Sequence, residues 1–165
     1  DADLLDALAA SFGDAIRTKL PILYPHVGTT LAALKLAGYR VGLISNTGRT
    51  WGRFLRPIQD ELGIGRYFDD RVFSDEVGIR KPEPAIFERA LEHLDLRPQE
   101  VVHVGDDLVA DVAGSKALGM RAVWFDVGHD SEHAVHDPAS PEAAAPDAAI
   151  HQHPDLLDLL ERWRP

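Results

Sequence analysis

The 165-residue sequence contains no cysteine, which removes disulfide frameworks, thiolate nucleophiles and cysteine-based zinc sites together. Any metal must be held by oxygen or imidazole. Basic residues are outnumbered: 17 Lys and Arg stand against 27 Asp and Glu, a formal charge of −10 with neutral His. That balance repels a phosphate backbone and argues against nucleic acid as a partner. No apolar run approaches the ~20 residues that cross a bilayer, and no basic segment followed by an apolar one opens the chain. The expectation is a cytoplasmic protein with no membrane partner. Methionine occurs once, at Met120, and residue 1 is Asp, so the sequence is expected to be a cut, processed or incompletely recorded product. What remains is 45% hydrophobic and 27% charged, a composition and length suited to one globular domain.

Hydrophobic spacing divides the chain into alternating helices and strands. Leu4, Leu5, Leu8, Phe12, Ile16 and Leu20 recur at helical intervals, so Asp3 to Leu20 reads as an amphipathic helix stopped by Pro21. Further helices are expected over Thr29 to Ala37, Thr50 to Leu62, Pro84 to Leu94, Leu108 to Leu118 and Pro154 to Trp163. Short buried strands are expected at Arg40 to Ile44, Arg71 to Ser74, Val101 to Val104 and Arg121 to Phe125. Strands alternating with helices of about ten residues imply a Rossmann-like parallel sheet covered by helices on both faces, an α/β fold. Ligands in such sheets sit outside the carboxyl ends of the strands. Residues 128 to 148, rich in Pro, Ala, His and Asp, read as a surface loop. No internal repeat is found.

Three polar clusters fall at those strand ends or between a strand and a helix. Ser45-Asn46-Thr47-Gly48 offers hydroxyls and backbone N–H groups at the start of a helix, suited to an anion and equally to an ordinary cap and turn. Gly78-Ile79-Arg80-Lys81-Pro82-Glu83-Pro84 fixes a Lys between prolines, useful to a phosphoryl group or simply an exposed loop before a helix. Gly105-Asp106-Asp107-Leu108-Val109-Ala110-Asp111 places three carboxylates within six residues after an apolar strand. Asp107 and Asp111, at i and i+4 of the expected helix, repel one another, and a hard cation would offset that repulsion. On the simpler alternative, Asp106 caps the helix, whose dipole favours acid in its first turn.

In this order and spelling the three clusters resemble the haloacid dehalogenase superfamily, and within it the phosphatase-like members, from about Tyr24 to Trp124. "GLISNTG" is similar to the family's second motif, which implies that Ser45, with Asn46 and Thr47 beside it, binds the phosphoryl group. "GIRKPEPAIFERAL" is similar to the third and implies that Lys81 offsets charge on nucleophile and phosphate. "HVGDDLVADVAGSKALGM" is similar to the fourth and implies a Mg²⁺ site with Asp106 a ligand and Asp111 a ligand or its support. The resemblance implies a Mg²⁺-dependent phosphoric monoester hydrolase acting on a small phosphorylated metabolite. Carbon–halogen cleavage, which in the family needs no metal, fits the acidic motif less well.

The family's first motif is an apolar strand followed by Asp-x-Asp, whose first Asp attacks phosphorus. No such strand occurs here. Asp1-Ala2-Asp3 has the spacing alone and runs into a helix, so it is not read as that motif. Residues 1–24 instead resemble the end of a cap domain, with 25–165 as the core. The central nucleophile strand is expected to be absent, leaving two strand pairs with unpaired inner edges and a chain that is inactive alone. An N-terminal segment supplied in trans, or a second copy of the chain, is the expected occupant of that gap. A non-catalytic protein binding phosphate or a partner is the alternative. His129 to His133 spells H-x-x-E-H, but Gly128 and Pro138 bracket it as a loop, which argues against a zinc protease. A looser grip on metal by His129, His133 and His136 is weaker than a solvated-loop reading. His103, Trp51, Trp124 and Trp163 read as packing residues.

Overall fold

A computed structural model of the chain describes residues 2–48, 50–128 and 143–164. In chain order the elements are α1 (Ala2–Thr18), α2 (Val27–Leu36), β1 (Gly42–Ser45), α3 (Gly52–Glu61), β2 (Asp70–Phe73), α4 (Ser74–Val77) and α5 (Pro84–Leu94), followed by β3 (Val102–Gly105). A π-helical segment over Leu108–Ala113 then runs into α6 (Gly114–Ala117), and β4 (Arg121–Phe125), β5 (Ala148–Ile150) and α7 (Asp155–Arg162) complete the order. Every strand pair is parallel, as the alternation of strands and helices predicts. The strands form two sheets: β1 with β2, and β3-β4-β5.

Burial across the two sheets runs opposite to that of an ordinary covered parallel sheet. The strands flanking the break are the least buried: no residue of β1 or β3 is fully buried, whereas Val72 and Phe73 of β2 and Ala122 and Val123 of β4 are. The buried strand expected at Arg40 to Ile44 is therefore half-exposed. On one face α5 connects the two halves. Ile86, Phe87, Ala90 and Leu91 of α5 pack with Val72 of β2 and with Met120 just before β4, while Ile44 and Val101 fill in around them. Burying side chains such as Ile86 and Phe87 completely contributes roughly 1.5–3 kcal/mol each. Val123, Ile150 and Leu159 form a second cluster that holds α7 on β4 and β5.

Three local expectations change. The stretch read as loop to residue 148 ends in the short strand β5, which its Ala-rich sequence does not announce. The single helix expected over Leu108 to Leu118 is wide-turned first and α-helical after. Helix α1 exposes its apolar stripe: Leu4, Leu5, Leu8 and Phe12 are between 45% and 61% exposed, and the helix docks through Ala9 and Gly13 instead. Gly13 approaches so closely that an added Cβ would lie 2.3 Å from the Phe54 ring of α3, and Asp6 pairs with Arg53 beside it at 2.7 Å. Residue 1, the His129 to His133 pattern and His136 lie outside the described residues.

One clip occurs twice, once in each sheet. Asp69, just before β2, donates its N–H to the Val41 carbonyl, while its carboxylate accepts the Val41 N–H and the amine of Lys35 from α2. Asp147, just before β5, does the same with Ala122 of β4 and with Lys116 of α6. Hydrogen bonds from Lys116 and the Ala122 N–H hold the Asp147 carboxyl below its ordinary pKa. At Asp69 burial opposes the shift, and the Lys35 and Val41 bonds outweigh it. Both carboxylates are about one-third exposed, so solvent screening keeps each clip modest. Asp69→Ala and Asp147→Ala should each cost about 1 kcal/mol at pH 7. A depressed native pKa stabilises above the unfolded value and stops doing so as pH falls through the native one. Urea midpoints of parent and variants should therefore converge in acid; a constant gap from pH 7 to the acid limb would contradict the clip.

Candidate active site

Three loops meet on Lys81. Asn46, the residue after β1, grips its backbone from both sides: the Lys81 N–H donates to Asn46 Oδ1 at 2.8 Å and Asn46 Nδ2 donates to the Lys81 carbonyl at 2.9 Å. So held, the Lys81 side chain turns inward. Its ammonium donates to the Ile44 carbonyl of β1 at 3.0 Å and to Asp111 Oδ1 at 2.5 Å. The two side chains are only 11% and 5% exposed, so this is a buried ion pair whose partners depend on each other.

The chain around Asp111 is shaped to place its carboxylate. The Val112 N–H reaches back five residues to the Asp107 carbonyl, widening the turn, and the buried Ser115 hydroxyl donates to the Asp111 carbonyl at 2.7 Å. Gly105 ends β3 directly beneath the acid. A Cβ there would fall 2.2 Å from Asp111 Cγ, so only glycine leaves the carboxylate its position. Both Asp111 oxygens are engaged: Oδ1 by Lys81 and by His103 Nε2 at 3.0 Å, Oδ2 by the Asp107 N–H at 3.2 Å. Burial alone would raise the Asp111 pKa, but the His103 bond and the Lys81 charge prevail and keep it far below the usual carboxylate range.

Asp107, not Asp106, is the helix cap. Its Oδ1 accepts the N–H groups of Val109 and Ala110 at 2.9 and 2.8 Å. The repulsion expected between Asp107 and Asp111 is thereby offset inside the protein, by backbone donors on one acid and by Lys81 and His103 on the other. No cation is needed to explain their proximity. Asp106 is half-buried, and its carbonyl accepts Trp124 Nε1–H at 3.0 Å, so Trp124 anchors this loop as well as packing. Burial pushes the Asp106 carboxyl above its ordinary pKa; Asp111 and Asp107 add to this, while its own backbone N–H and Lys81 oppose it.

Ser45 ends β1, half-buried, at the edge where Lys81 bonds Ile44. Thr47 is buried and faces away: its N–H donates to Ser74 Oγ at 2.9 Å, its hydroxyl donates to Asp75 at 2.7 Å, and its carbonyl receives Arg80 at 3.0 Å. Thr47 therefore braces the loop against α4. The structure thus brings Asn46, Lys81 and Asp111 into direct contact, with Ser45 next to Ile44 at the end of β1 and Asp106 at the next loop, while Thr47 bonds Ser74, Asp75 and Arg80. His103, Ser74 and Asp75 belong to the same network and were not among the expected site residues. Alternation along β3 puts His103 on the face of Gly105, a signal readable from sequence. Among the described residues, no three His, Asp or Glu side chains are grouped closely enough to hold a metal by themselves.

Comparison with known proteins supplies the family. A family model described as haloacid dehalogenase-like hydrolase matches residues 2–119. The chain is similar to a glyceraldehyde 3-phosphate phosphatase of Pyrococcus furiosus, 37% identical over 140 residues that cover 84% of this chain and 54% of that protein. It is 31% identical over 140 residues to a phosphoglycolate phosphatase of Nitrosococcus oceani, covering 85% of this chain and 58% of that one. A HAD phosphatase from Thermococcus onnurineus, of known structure, superposes with a TM-score of 0.69 at 32% identity, over 84% of this chain and 58% of that chain. The chain spans about half the length of the curated relatives it matches. With well over half its residues under the family model, the chain belongs to the haloacid dehalogenase-like hydrolases.

Proposed function

We propose that the chain is the phosphate-handling part of a Mg²⁺-dependent phosphoric monoester hydrolase acting on a small phosphorylated metabolite. The observation that carries this reading is the convergence of the β1, Lys81 and acidic loops on one buried ammonium at a strand-end edge. Ser45 and the backbone after it would hold phosphoryl oxygens. Lys81 would neutralise charge on them, with Asn46 fixing its backbone and Asp111 its amine. Asp106, raised in pKa by burial and by acid neighbours, is the carboxylate suited to a hard cation; waters and the reacting groups would complete the ligand set. A cation held by Asp106 would supply Lewis-acid polarisation of the phosphoryl group.

The nucleophile is proposed to come from an extended segment outside residues 1–165 that lies between β1 and β3. Support comes from the break in the sheet and from the incomplete burial of the two strands beside it. In the same reading, α1 is a piece of a cap whose remaining parts would cover Leu4, Leu5, Leu8 and Phe12. Among the described residues the acid bonded to Lys81 is Asp111, whose two oxygens are both hydrogen-bonded and so poorly placed to attack phosphorus. This last observation also favours a second reading, a protein that binds phosphate without turning it over.

Two measurements follow. In a Mg²⁺ titration by calorimetry, Asp106→Asn should weaken binding by roughly tenfold or more, and Asp111→Asn by less, provided thermal melting shows that variant folded. An unchanged titration for Asp106→Asn would remove the metal assignment. With p-nitrophenyl phosphate and Mg²⁺, chain 1–165 should show no turnover, whereas adding an apolar strand with Asp-x-Asp, covalently or as a peptide, should produce it. Turnover by 1–165 of confirmed intact mass would refute the missing-strand account; phosphate binding without turnover in both forms would favour the second reading.

A further inference from the structure

His103 is the one ionisable side chain on β3, set between Val102 and Val104, and its side chain is 13% exposed. An imidazole placed there as packing alone would leave two ring nitrogens to be desolvated for no return. Instead, its Nε2 meets Asp111 Oδ1 at 3.0 Å, the same oxygen that receives Lys81 at 2.5 Å. A carboxylate ion-paired with an ammonium at 2.5 Å only accepts, so Nε2 carries the hydrogen, whether the ring is neutral or charged. The Phe87 ring, its centroid 5.2 Å from that of the imidazole and nearly perpendicular to it, packs against His103 from the α5 side. Asp111 is thus oriented from β3 by His103 and pulled from the opposite loop by Lys81, with Gly105 beneath it.

We propose that His103 is a positioning residue for Lys81: by donating Nε2–H to Asp111 it fixes the carboxylate that, in turn, holds the Lys81 ammonium at the anion site. The second half of this inference, that the ammonium so held serves an anion, rests on the phosphate-binding reading above; the first half stands on the hydrogen bonds alone. His103 touches neither substrate nor metal in this scheme. Without its bond the carboxylate can rotate between Lys81 and the Asp107 N–H, and the ammonium keeps the Ile44 carbonyl but loses a fixed acid partner.

The test uses chain 1–165 with His103→Phe, which keeps an aromatic ring against Phe87 but has no donor, and the pair His103→Gln and His103→Asn. The two amides differ mainly in reach: a Gln amide extends to about the place of Nε2, and an Asn amide stops short. Two readouts are taken, the Lys81 ammonium signal in ¹⁵N NMR at low temperature and the affinity for inorganic phosphate with Mg²⁺ by calorimetry. Native chain and His103→Gln should retain a protected Lys81 signal; His103→Asn and His103→Phe should lose it and bind phosphate roughly tenfold more weakly. A merely structural histidine would lower the melting temperature in all three variants without separating Gln from Asn. Equal behaviour of Gln and Asn, or an unchanged Lys81 signal in folded His103→Phe, overturns the proposal. If the native chain binds no phosphate, the anion-site reading fails, while the Lys81 signal still decides whether His103 positions the ammonium.

Discussion

A buried Lys–Asp pair is costly to assemble, and much of this molecule's local architecture answers to that cost. Removing two charges from water carries a penalty of several kcal/mol per ion, offset only when geometry and further hydrogen bonds are good. Here the further bonds are in place: Lys81 has the Ile44 carbonyl, and Asp111 has His103 and the Asp107 N–H. The bare Cα of Gly105, the wide turn over Leu108–Ala113 and the Asn46 bracket on the Lys81 backbone each set one atom of that arrangement. Widened helical turns cluster at functional sites, and this one brings a carboxylate across to a loop from the other half of the fold.

That same pair spans the break between the two sheets. Its amine is bonded to β1 and its acid to β3 through His103, while α5 spans the break from one face with apolar packing. Strand edges are otherwise costly to leave bare, because each alternate peptide group lacks a partner. The polar link and the apolar one therefore do different work: α5 supplies the burial, and the Lys81 cluster aligns the two strand ends. An extended segment entering between β1 and β3 would add backbone partners to both edges without displacing α5.

Regular pattern carried much of the fold. The bounds of Pro84–Leu94 and Arg121–Phe125 are legible to the residue, because a proline or glycine marks a limit and the periodicity between is unbroken. Strand β5 is not legible: Ala148 and Ala149 have little strand preference and gain theirs from pairing with β4. The wide turn after Asp107 escapes because six residues cannot distinguish its period from that of an α-helix. Helix α1 is legible as amphipathic, yet its buried face is not, since the leucines find no covering surface among the described residues and the small residues dock instead. At the site, motif spelling singles out Lys81 and Asp111, which the structure joins in a buried ion pair, while the choice of Asp107 over Asp106 as cap depends on where the chain enters the turn. Asp75 comes from a separate element and is fixed by three-dimensional proximity, whereas the face of His103 is readable along β3 and only its bond to Asp111 is not.

The charge arrangement at the site bears on what an anion would require there. Lys81 already has its charge matched by Asp111, and Asp106 adds a further acid whose pKa rises because of burial and acid neighbours. A phosphoryl group carries up to two negative charges, so it would meet an ammonium whose charge Asp111 already matches, with Arg80 on the Thr47 carbonyl as the further cation of these loops, in a protein of formal charge −10. Hydrogen bonds from Ser45 and the loop backbone reduce that repulsion but add no charge. A divalent cation on Asp106 would reverse the balance locally, which is a stronger physical reason to propose Mg²⁺ than the repulsion between Asp107 and Asp111, already relieved by protein groups. On the proposed reading phosphate and metal would bind with mutual assistance: each would lower the electrostatic cost of the other, beside a Lys81 ammonium kept in place by Asp111.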